Sequence, residues 1–477
     1  MATYDLAVIG AGAAGLTAAG SAAALGAKTI LIEASRFGGD CTWSGCIPSK
    51  ALLRAASLAA SHDAETFGIE RQIRVDGARV MARVRAVRQR IYSESDAPEL
   101  LARYGFETLR GEARFIDNET LEIRGASPQH VTARRFIIAT GSEPLSLDLG
   151  VPTVNPETIW DIETIPQRLL IIGGGPAAVE MAQAFGRLGA VVTVTTHGKR
   201  VLPRDTIAAA DIVTNALRRE GVGIRTECSV ASASCTGGVI RATMSDGTVT
   251  VADLVFVAIG RRARVDRLGL EDAGVSVRDG LISVDAFCRT SAKAIYAAGD
   301  CATTAKFTHV AERMAGVAVM NAIAGLPTRF DSESVVWTTF TDPEVAQVGP
   351  TEADLARAGR SHLKETFPFS RLDRAIVDGL EDGFTSILTT RGGRVLGGTV
   401  VGPRSAELIA EIALARARRL PIAALAMTLH VYPSYAMGVR RAADAALVRK
   451  RTAFVLRALR LLRRLRGKAP PLNVLLP

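Results

Sequence analysis

Short apolar strand patterns followed by Ala-rich helical patterns dominate the beginning of the chain. Tyr4–Ile9 predicts a strand, residues 16–25 predict a helix, and residues 29–32 predict a second strand. Strands that alternate with helices in this order are typical of a parallel sheet with crossover helices. The pattern therefore predicts an α/β domain at the N-terminus.

Glycines occupy the turn between the first predicted strand and helix. Gly10, Gly12 and Gly15 follow the strand, and Glu33 comes 18 residues after Gly15. In a dinucleotide-binding domain such glycines let backbone amides approach a pyrophosphate, and the later acid binds a ribose hydroxyl. The order of strand, glycines, helix, strand and acid makes this prediction specific. A plain βαβ turn is the alternative.

The same pattern returns in the middle of the chain. Arg168–Ile172 predicts a strand, Gly173 and Gly175 a phosphate turn, residues 179–188 a helix and residues 191–196 the next strand. Two such units imply two dinucleotides that exchange electrons. No acid ends the last strand, and the residues that follow are basic, which suits a 2′-phosphate and favours NADPH over NADH. These residues are His197, Lys199, Arg200 and Arg204.

Two cysteines, Cys41 and Cys46, precede an apolar helical pattern at residues 51–60. On an ideal helix these positions would lie about 7.5 Å apart along the axis, whereas a disulfide needs Cα atoms roughly 4.4–6.8 Å apart. The link must therefore be bent, and we expect Gly45 to supply the unusual dihedrals. Lys50 would make a nearby thiol more acidic. The hypothesis is a redox dithiol, with two structural thiols or half of a zinc site as alternatives.

Composition narrows the class of protein. The chain has 477 residues, which suggests about three domains, and its six Cys are too few for a disulfide-stapled secreted scaffold. Its first residues lack the charged region of a secretory leader, so we expect a cytoplasmic enzyme. The net charge of +10 is concentrated at residues 449–468, which hold nine Lys and Arg and no acid. The nearly neutral remainder argues against a nucleic-acid partner.

The chain resembles the class I pyridine nucleotide-disulfide oxidoreductases, which include glutathione reductase, dihydrolipoamide dehydrogenase and mercuric reductase. The resemblance covers residues 4 to about 447 and depends on five motifs in the family's order. They are Gly10-x-Gly12-x-x-Gly15, the Cys41 to Cys46 segment, Ala139-Thr140-Gly141, the second glycine turn and Tyr296-Ala297-Ala298-Gly299-Asp300.

The resemblance implies FAD in the first unit, NAD(P)H in the second and a homodimer formed by a C-terminal domain. It makes Cys46 the flavin-proximal thiol, Cys41 the interchange thiol, and Lys50 the cation near the flavin with Glu180 as its partner. Asp300 would bind the FAD ribityl chain. Other cofactor-binding candidates are Gly141 and Gly260, with His309 and Glu312 as second-choice residues near the flavin pyrimidine.

The expected architecture is α/β, with two Rossmann-like dinucleotide-binding domains and an α+β C-terminal dimerisation domain. Residues 1–150 and 265–330 would form the FAD domain, 151–264 the NAD(P)H domain and 331–448 the dimerisation domain. Residues 449–477 form a basic tail with an amphipathic pattern. The tail is expected to dock on the dimer, and weak contact with the inner face of a membrane is the alternative.

The C-terminal domain departs from the family pattern. Disulfide reductases of this family carry a His-Pro pair, with a Glu five residues after the His, as an acid-base couple supplied across the dimer. Here Tyr432 stands at the His position and Met437 at the Glu position. A Tyr, with a reference pKa near 10, is a poor general base. Tyr432 is therefore a catalytic candidate that resembles mercuric reductases, and interface packing is its other interpretation.

The leading prediction is an enzyme that passes electrons from NADPH through FAD to Cys41 and Cys46 and on to an acceptor. The acceptor is expected to be a soft metal ion, as in mercuric reductase, or a small disulfide, and no resident metal site is expected. The alternatives are a disulfide reductase like dihydrolipoamide dehydrogenase or glutathione reductase, or a redox-sensing flavoprotein. A flavin oxidase or quinone reductase with a bystander dithiol is a weaker alternative.

Overall fold

The computed structural model describes residues 3–60, 67–70, 72–125, 128–450 and 453–463. The chain divides into two compact units. The first contains Met1–Ala59, Arg74–His197 and Cys228–Asp331, and the second contains Ala60–Ile73, Gly198–Glu227 and Ser332–Pro477. No helix in the described ranges is both long enough and apolar enough to cross a bilayer.

Strands and helices alternate through the first unit, as the apolar patterns predict. The strands are β1 Tyr4–Ile9, β2 Thr29–Glu33, β3 Glu107–Arg110, β4 Glu112–Phe115, β5 Thr120–Arg124, β6 Gln129–Ile138, β7 Ser142–Pro144, β8 Arg168–Ile172, β9 Val191–Thr195, β10 Gly223–Arg225, β11 Val230–Thr236, β12 Val239–Met244, β13 Val249–Ala252, β14 Leu254–Val257, β15 Arg261–Ala263, β16 Val277–Arg278, β17 Leu281–Ile282, β18 Ile295–Ala297, β19 Val336–Thr339, β20 Glu344–Val348, β21 Leu363–Pro368, β22 Phe384–Thr389 and β23 Val395–Gly402.

The helices complete the pattern. They are α1 Ala13–Ala24, α2 Gly39–Trp43, α3 Cys46–Ala59, α4 Gly77–Ile91, α5 Pro98–Leu101, α6 Pro176–Arg187, α7 Ile207–Arg219, α8 Thr308–Ala322, α9 Glu352–Arg357, α10 Asp373–Asp378, α11 Ser405–Ala417, α12 Ile422–Met427, α13 Ala436–Lys450 and α14 Ala453–Leu462, with a π-helix at Tyr92–Asp96.

A parallel sheet organises the first unit. β1 lies between β2 and β6, β3 extends the β2 edge, and β18 pairs with β6. Its core includes Phe115 and Phe136, whose rings meet edge to face 5.2 Å apart. A second parallel sheet in the same unit pairs β9 with β8 and β8 with β14. The predicted pair of α/β nucleotide-binding folds is therefore confirmed.

The second unit contains an antiparallel sheet in the order β19-β20-β23-β22-β21. α11, α12 and α13 supply apolar residues to its core, where Phe369 lies 5.8 Å from the Tyr435 ring. An antiparallel sheet covered by helices matches the α+β domain expected at the C-terminus. α14 lies within the predicted tail helix, and residues 464–477 of the tail lie outside the described residues.

Two elements differ from the sequence prediction. α3 begins at Cys46 itself, so Pro48 lies in the first helical turn, where its missing N–H costs no helical hydrogen bond. The strand expected at residues 251–258 is two strands, β13 and β14, separated by Asp253. The Asp253 carboxylate binds the backbone N–H and guanidinium of Arg168, and there the chain passes from an antiparallel to a parallel sheet.

Candidate active site

The first glycine turn leaves no space for side chains between β1 and α1. A Cβ atom on Gly10 would lie 2.4 Å from the carbonyl oxygen of Ala139, and one on Gly15 would lie 1.7 Å from that of Gly10. A Cβ on Gly39 would lie 2.5 Å from the Cα of Gly12. This bare backbone at a helix N-terminus fits the pyrophosphate of a dinucleotide.

Glu33 ends β2 beside that turn. Its two carboxylate oxygens accept hydrogen bonds from the backbone N–H groups of Ala11 and Ser35, both at 2.7 Å. Each carboxylate oxygen has a second lone pair, so Glu33 can also accept a hydrogen bond from a ribose hydroxyl. The structure thus brings Glu33 to the glycine turn, as the spacing predicts.

The two redox cysteines lie on separate short helices. Cys41 lies on α2, Cys46 begins α3, and the chain turns between them at Ser44 and Gly45. The bend is as predicted, but Gly45 has no left-handed φ. Its role is to allow a close approach, because its N–H donates to the Asp40 carbonyl at 2.6 Å and a Cβ would lie 3.0 Å from Asp40 Oδ2.

Cys46 has the more acidic thiol of the pair. Its Sγ atom lies 3.2 Å from Oγ1 of Thr308, at the start of α8. The hydrogen bond from Cys41 lowers the pKa of Cys46 to about 6, with further lowering by the Thr308 hydroxyl and the Lys50 charge, while desolvation and Asp40 oppose them. The same hydrogen bond raises the pKa of Cys41, so one proton stays on that sulfur.

Lys50 lies one helical turn after Cys46. Its Nζ atom is 3.0 Å from Oε2 of Glu180, a buried carboxylate on α6. Glu180 follows the second glycine turn, so this ion pair joins the helix of the thiols to the helix of the second nucleotide site. The structure contains the pair that the family resemblance implies.

Three contacts that the sequence did not predict hold the segment between the cysteines. Thr42 donates to the buried Asp96 at 2.6 Å, and Trp160 Nε1 donates to the Ser44 carbonyl at 2.9 Å. Burial raises the pKa of Asp96, although the Thr42 hydrogen bond opposes this. Trp43 Nε1 donates to the carbonyl of Phe37, the residue before Gly38, at 2.7 Å.

The Trp43 ring also lies between two cations. The guanidinium carbons of Arg36 and Arg88 are 5.0 and 5.6 Å from its centroid, and the Tyr92 ring packs at 5.0 Å. Such contacts stabilise a side chain through the ring quadrupole. Trp43 therefore anchors α2 through contacts separate from the polar partners of the thiols.

A polar chain connects α2 with the return segment of the first unit. Asp40 Oδ1 lies 3.2 Å from the Arg261 guanidinium, which donates to the Ser142 hydroxyl at 2.8 Å. Ser142 in turn donates to Asp300 Oδ2 at 2.6 Å. Burial raises the pKa of Asp300, while Ser142, Lys306 and Arg261 oppose that shift. Asp300 is thus held at the end of β18, where the resemblance expects a ligand of FAD.

The remaining candidates near this chain are more open. Gly141 has a φ of +71°, and a Cβ there would meet no neighbouring atom within 4 Å, while Gly260 has a φ of +128°. His309 is exposed at the start of α8, and its ring stacks on Phe307 at 5.7 Å. Their cofactor-binding roles stay predictions.

The second glycine turn is also tight. Gly173 has a φ of +138°, and a Cβ there would lie 2.2 Å from the Ala258 carbonyl oxygen. Gly175 has open space around it at the N-terminus of α6. A phosphate can therefore approach the backbone at this helix N-terminus.

The basic residues after β9 play different parts. His197 is exposed at the end of the first unit's segment. Within the second unit, the Arg200 guanidinium donates to the carbonyls of Leu202, Pro203 and Asp205 at 2.9, 3.0 and 2.9 Å. Arg200 therefore organises its own loop, a role that the sequence interpretation missed.

Tyr432 belongs to an exposed stretch of the second unit. Its side chain is 65% exposed, and the hydrogen bond to Asp373 raises the pKa of its hydroxyl. Two positions earlier, His430 Nε2 lies 3.0 Å from Glu411 Oε1. Met437 is buried. A raised pKa makes Tyr432 a still weaker base at neutral pH, as its reference value already indicates.

The zinc alternative for the cysteines finds no further ligands. Within the described ranges, no group of three or more His, Cys, Asp or Glu side chains is placed to hold a metal ion. His62, the other ligand considered, lies outside the described residues.

Comparisons with known proteins agree with the geometry. A family model described as pyridine nucleotide-disulphide oxidoreductase matches residues 4–315, and its dimerisation-domain model matches residues 335–443. A dihydrolipoyl dehydrogenase of Thermus scotoductus is 38% identical, with 93% of this chain and 98% of that protein covered. One of Haloferax volcanii is 35% identical over 93% and 96%.

Solved structures give the same result for the fold. LpdA from Mycobacterium tuberculosis has a TM-score of 0.86 and 28% identity, with 92% of this chain and 99% of that chain covered. A Cu(II) complex of a cysteine-to-serine mutant of the HOCl-induced flavoprotein disulfide reductase RclA from Escherichia coli has a TM-score of 0.82 and 25% identity, over 92% and 98%. The expected similarity to mercuric reductase is not supported, because the curated relatives above are dihydrolipoyl dehydrogenases.

Proposed function

The chain belongs to the pyridine nucleotide-disulphide oxidoreductase family, and we propose that it reduces a small disulfide with electrons from NADPH. The family uses FAD and NAD(H) or NADP(H). The observation that carries this proposal is the Cys46 thiol, with a pKa of about 6 beside Cys41, Thr308 and Lys50. A stable thiolate at neutral pH is the species that thiol-disulfide exchange requires.

The overall reaction is NADPH + H⁺ + RSSR → NADP⁺ + 2 RSH. When bound, FAD supplies the two-electron carrier between the nicotinamide and the protein disulfide. The reduced pair, with a thiol at Cys41 and a thiolate at Cys46, reacts with RSSR to give the Cys41–Cys46 disulfide, RSH and RS⁻. Thr308 and Lys50 hold the negative charge on Cys46 before this exchange.

The preference for NADPH over NADH is also part of the proposal. No acid follows β9, and the residues after it are basic. Because Arg200 is engaged by three carbonyls of its own loop, the 2′-phosphate is assigned mainly to His197, Lys199 and Arg204.

The dimerisation domain supports a homodimer. In the second unit an apolar run is exposed beside Tyr432, with Leu429 at 92%. We assign Met427, Leu429 and Val431 to the dimer interface, because large exposed apolar residues in sequence are unfavourable in water. Cytoplasmic location remains an expectation, and membrane contact by the tail has no support.

The test follows NADPH oxidation without oxygen, with lipoamide and glutathione disulfide as acceptors. Cys41→Ser and Cys46→Ser should each abolish disulfide reduction while the flavin spectrum is retained. Cys235→Ser, at an exposed cysteine on β11, is the matched control and should keep wild-type rates. Full activity in Cys46→Ser would disprove the dithiol mechanism.

One observation favours a soft metal ion as a second acceptor. Tyr432 and Met437 leave no imidazole or carboxylate at these two positions to move the proton of a departing thiol, whereas a soft metal needs only thiolate ligands. For Cu(II) the balance is NADPH + 2 Cu(II) → NADP⁺ + H⁺ + 2 Cu(I). Tyr432→His should raise disulfide reduction over wild type and leave reduction of Cu(II) and Hg(II) unchanged. Equal effects on both acceptor classes would contradict this second candidate.

A further inference from the structure

A small cavity of ≈130 Å³ lies beside Tyr432 within the second unit. Its polar lining comes from α10, from the residues just before α10, and from α13. The residues that matter here are Arg371, Asp373, Arg374, Tyr432, Met437 and Arg441.

Positive charge exceeds negative charge around this cavity. Arg371, Arg374 and Arg441 line it, against one lining carboxylate, Asp373. Arg374 pairs with Asp378 at 2.8 Å, and that carboxylate also feels the charge of Arg404. With both carboxylates counted, four guanidinium groups face two negative charges.

Asp373 is already engaged. It accepts the hydrogen bond of the Tyr432 hydroxyl, which spreads part of its charge onto a neutral donor. Arg371 and Arg441 lie on either side of this pair in the sequence and line the same cavity. Guanidinium groups bind carboxylates through paired N–H donors, so the cavity has the chemistry to bind a small anion.

Met437 contributes to the same balance. It is buried at the cavity and occupies the position where the family resemblance expects a Glu. A carboxylate there would cancel one of the excess positive charges. The replacement of Glu by Met thus removes a proton carrier and leaves an electropositive pocket at one position.

We propose that this cavity binds a carboxylate of the acceptor, so that the acceptor is a small disulfide that carries a negative charge. The inference depends on the proposed function, because it names the substrate class of that site. Tyr432 and Asp373 then orient the acceptor rather than exchange its protons, and Arg371 and Arg441 determine specificity.

Lipoate and lipoamide test the idea, because they share one dithiolane ring and differ by one negative charge. Wild type should show a higher kcat/KM for lipoate than for lipoamide. In the double variant Arg371→Gln/Arg441→Gln, kcat/KM should fall about tenfold for lipoate and less than about twofold for lipoamide. Arg391→Gln, at an exposed turn between β22 and β23, is the matched charge control and should change neither value.

Equal losses for the two acceptors, or no loss for lipoate, would overturn the assignment. A direct binding measurement separates this inference from the proposed function. If wild type reduces neither disulfide, the proposed function fails. Titration calorimetry with lipoate then decides the pocket: heat of binding in wild type and Arg391→Gln but not in the double variant supports it, and heat that is absent or unchanged by the double substitution refutes it.

Discussion

The Sγ atom of Cys46 lies 3.2 Å from the hydroxyl of Thr308, although 262 positions separate the two residues in the sequence. This hydroxyl can donate a hydrogen bond to a thiolate but gains nothing comparable from a neutral thiol. The contact therefore couples the acidity of the redox pair to the start of α8.

Replacement of Thr308 by Val should raise the pKa of Cys46 above its value of about 6. The thiolate loses a donor, while the thiol form is little affected, so the thiolate fraction at neutral pH falls. Absorbance of the thiolate in the far ultraviolet during a pH titration of the reduced protein measures this fraction. Thr308→Ser keeps the hydroxyl and should titrate like wild type, and identical curves for the Val and Ser variants would show that the hydroxyl does not act on the sulfur.

Arg204→Ala should raise KM for NADPH about tenfold with little change for NADH, because a charged hydrogen bond to the 2′-phosphate is lost. Arg200→Ala should behave differently. It removes the donor to three loop carbonyls, so KM should rise for both coenzymes and the melting temperature should fall. Steady-state kinetics with each coenzyme distinguish the two, and a parallel change in Arg204→Ala would rule out phosphate recognition there.

Asp96 gives the protein a pH-dependent cost. Burial raises its folded pKa above the unfolded value of 3.8, so the folded state binds more protons and stability falls as pH rises through the interval between the two values. Asp96→Asn keeps an acceptor for Thr42 and cannot ionise. Its melting temperature should gain roughly 2–4 °C over wild type between about pH 4 and pH 7.

The control for that measurement is Asp279→Asn, at an exposed carboxylate in the same unit. Its difference from wild type should not widen with pH. A constant difference for Asp96→Asn over the same range would mean that Asp96 does not titrate in the expected interval.

Trp43→Ala should reduce the free energy of unfolding by about 2 kcal/mol, since it removes contacts with two guanidinium groups and one indole hydrogen bond. Trp43→Phe keeps an aromatic ring but not the Nε1 donor to Phe37, and should lose about half as much. Chemical denaturation followed by flavin release and circular dichroism measures both. Equal losses in the two variants would assign the effect to the hydrogen bond alone.

The sequence predicted those parts of the site whose signals are local. Gly10, Gly15 and Glu33 are recognisable because a strand, a turn and a helix fix their spacing, and the structure brings them to one turn. The Lys50–Glu180 pair spans 130 positions, and it was accessible only through the resemblance to a family.

Contacts without a periodic signal were missed. Asp96 ends a π-helix and Trp160 lies in a short 3₁₀ turn, and neither element has a hydrophobic period that predicts it. Asp40 stood out as a departure from the family, but its partner Arg261 is far away in the sequence. Arg200 was assigned to a phosphate because charge can be read from sequence, whereas its hydrogen bonds to nearby carbonyls require the folded loop.

The hydrogen bonds that hold the segment between the cysteines span 54, 116 and 262 residues. During synthesis both sulfurs leave the ribosome well before Trp160 and long before Thr308. A nascent chain therefore carries two ordinary thiols, which resist oxidation better than a thiolate does. The acidity of Cys46 is complete only when α8 has been made and has packed, so full redox reactivity begins at the completion of the first unit.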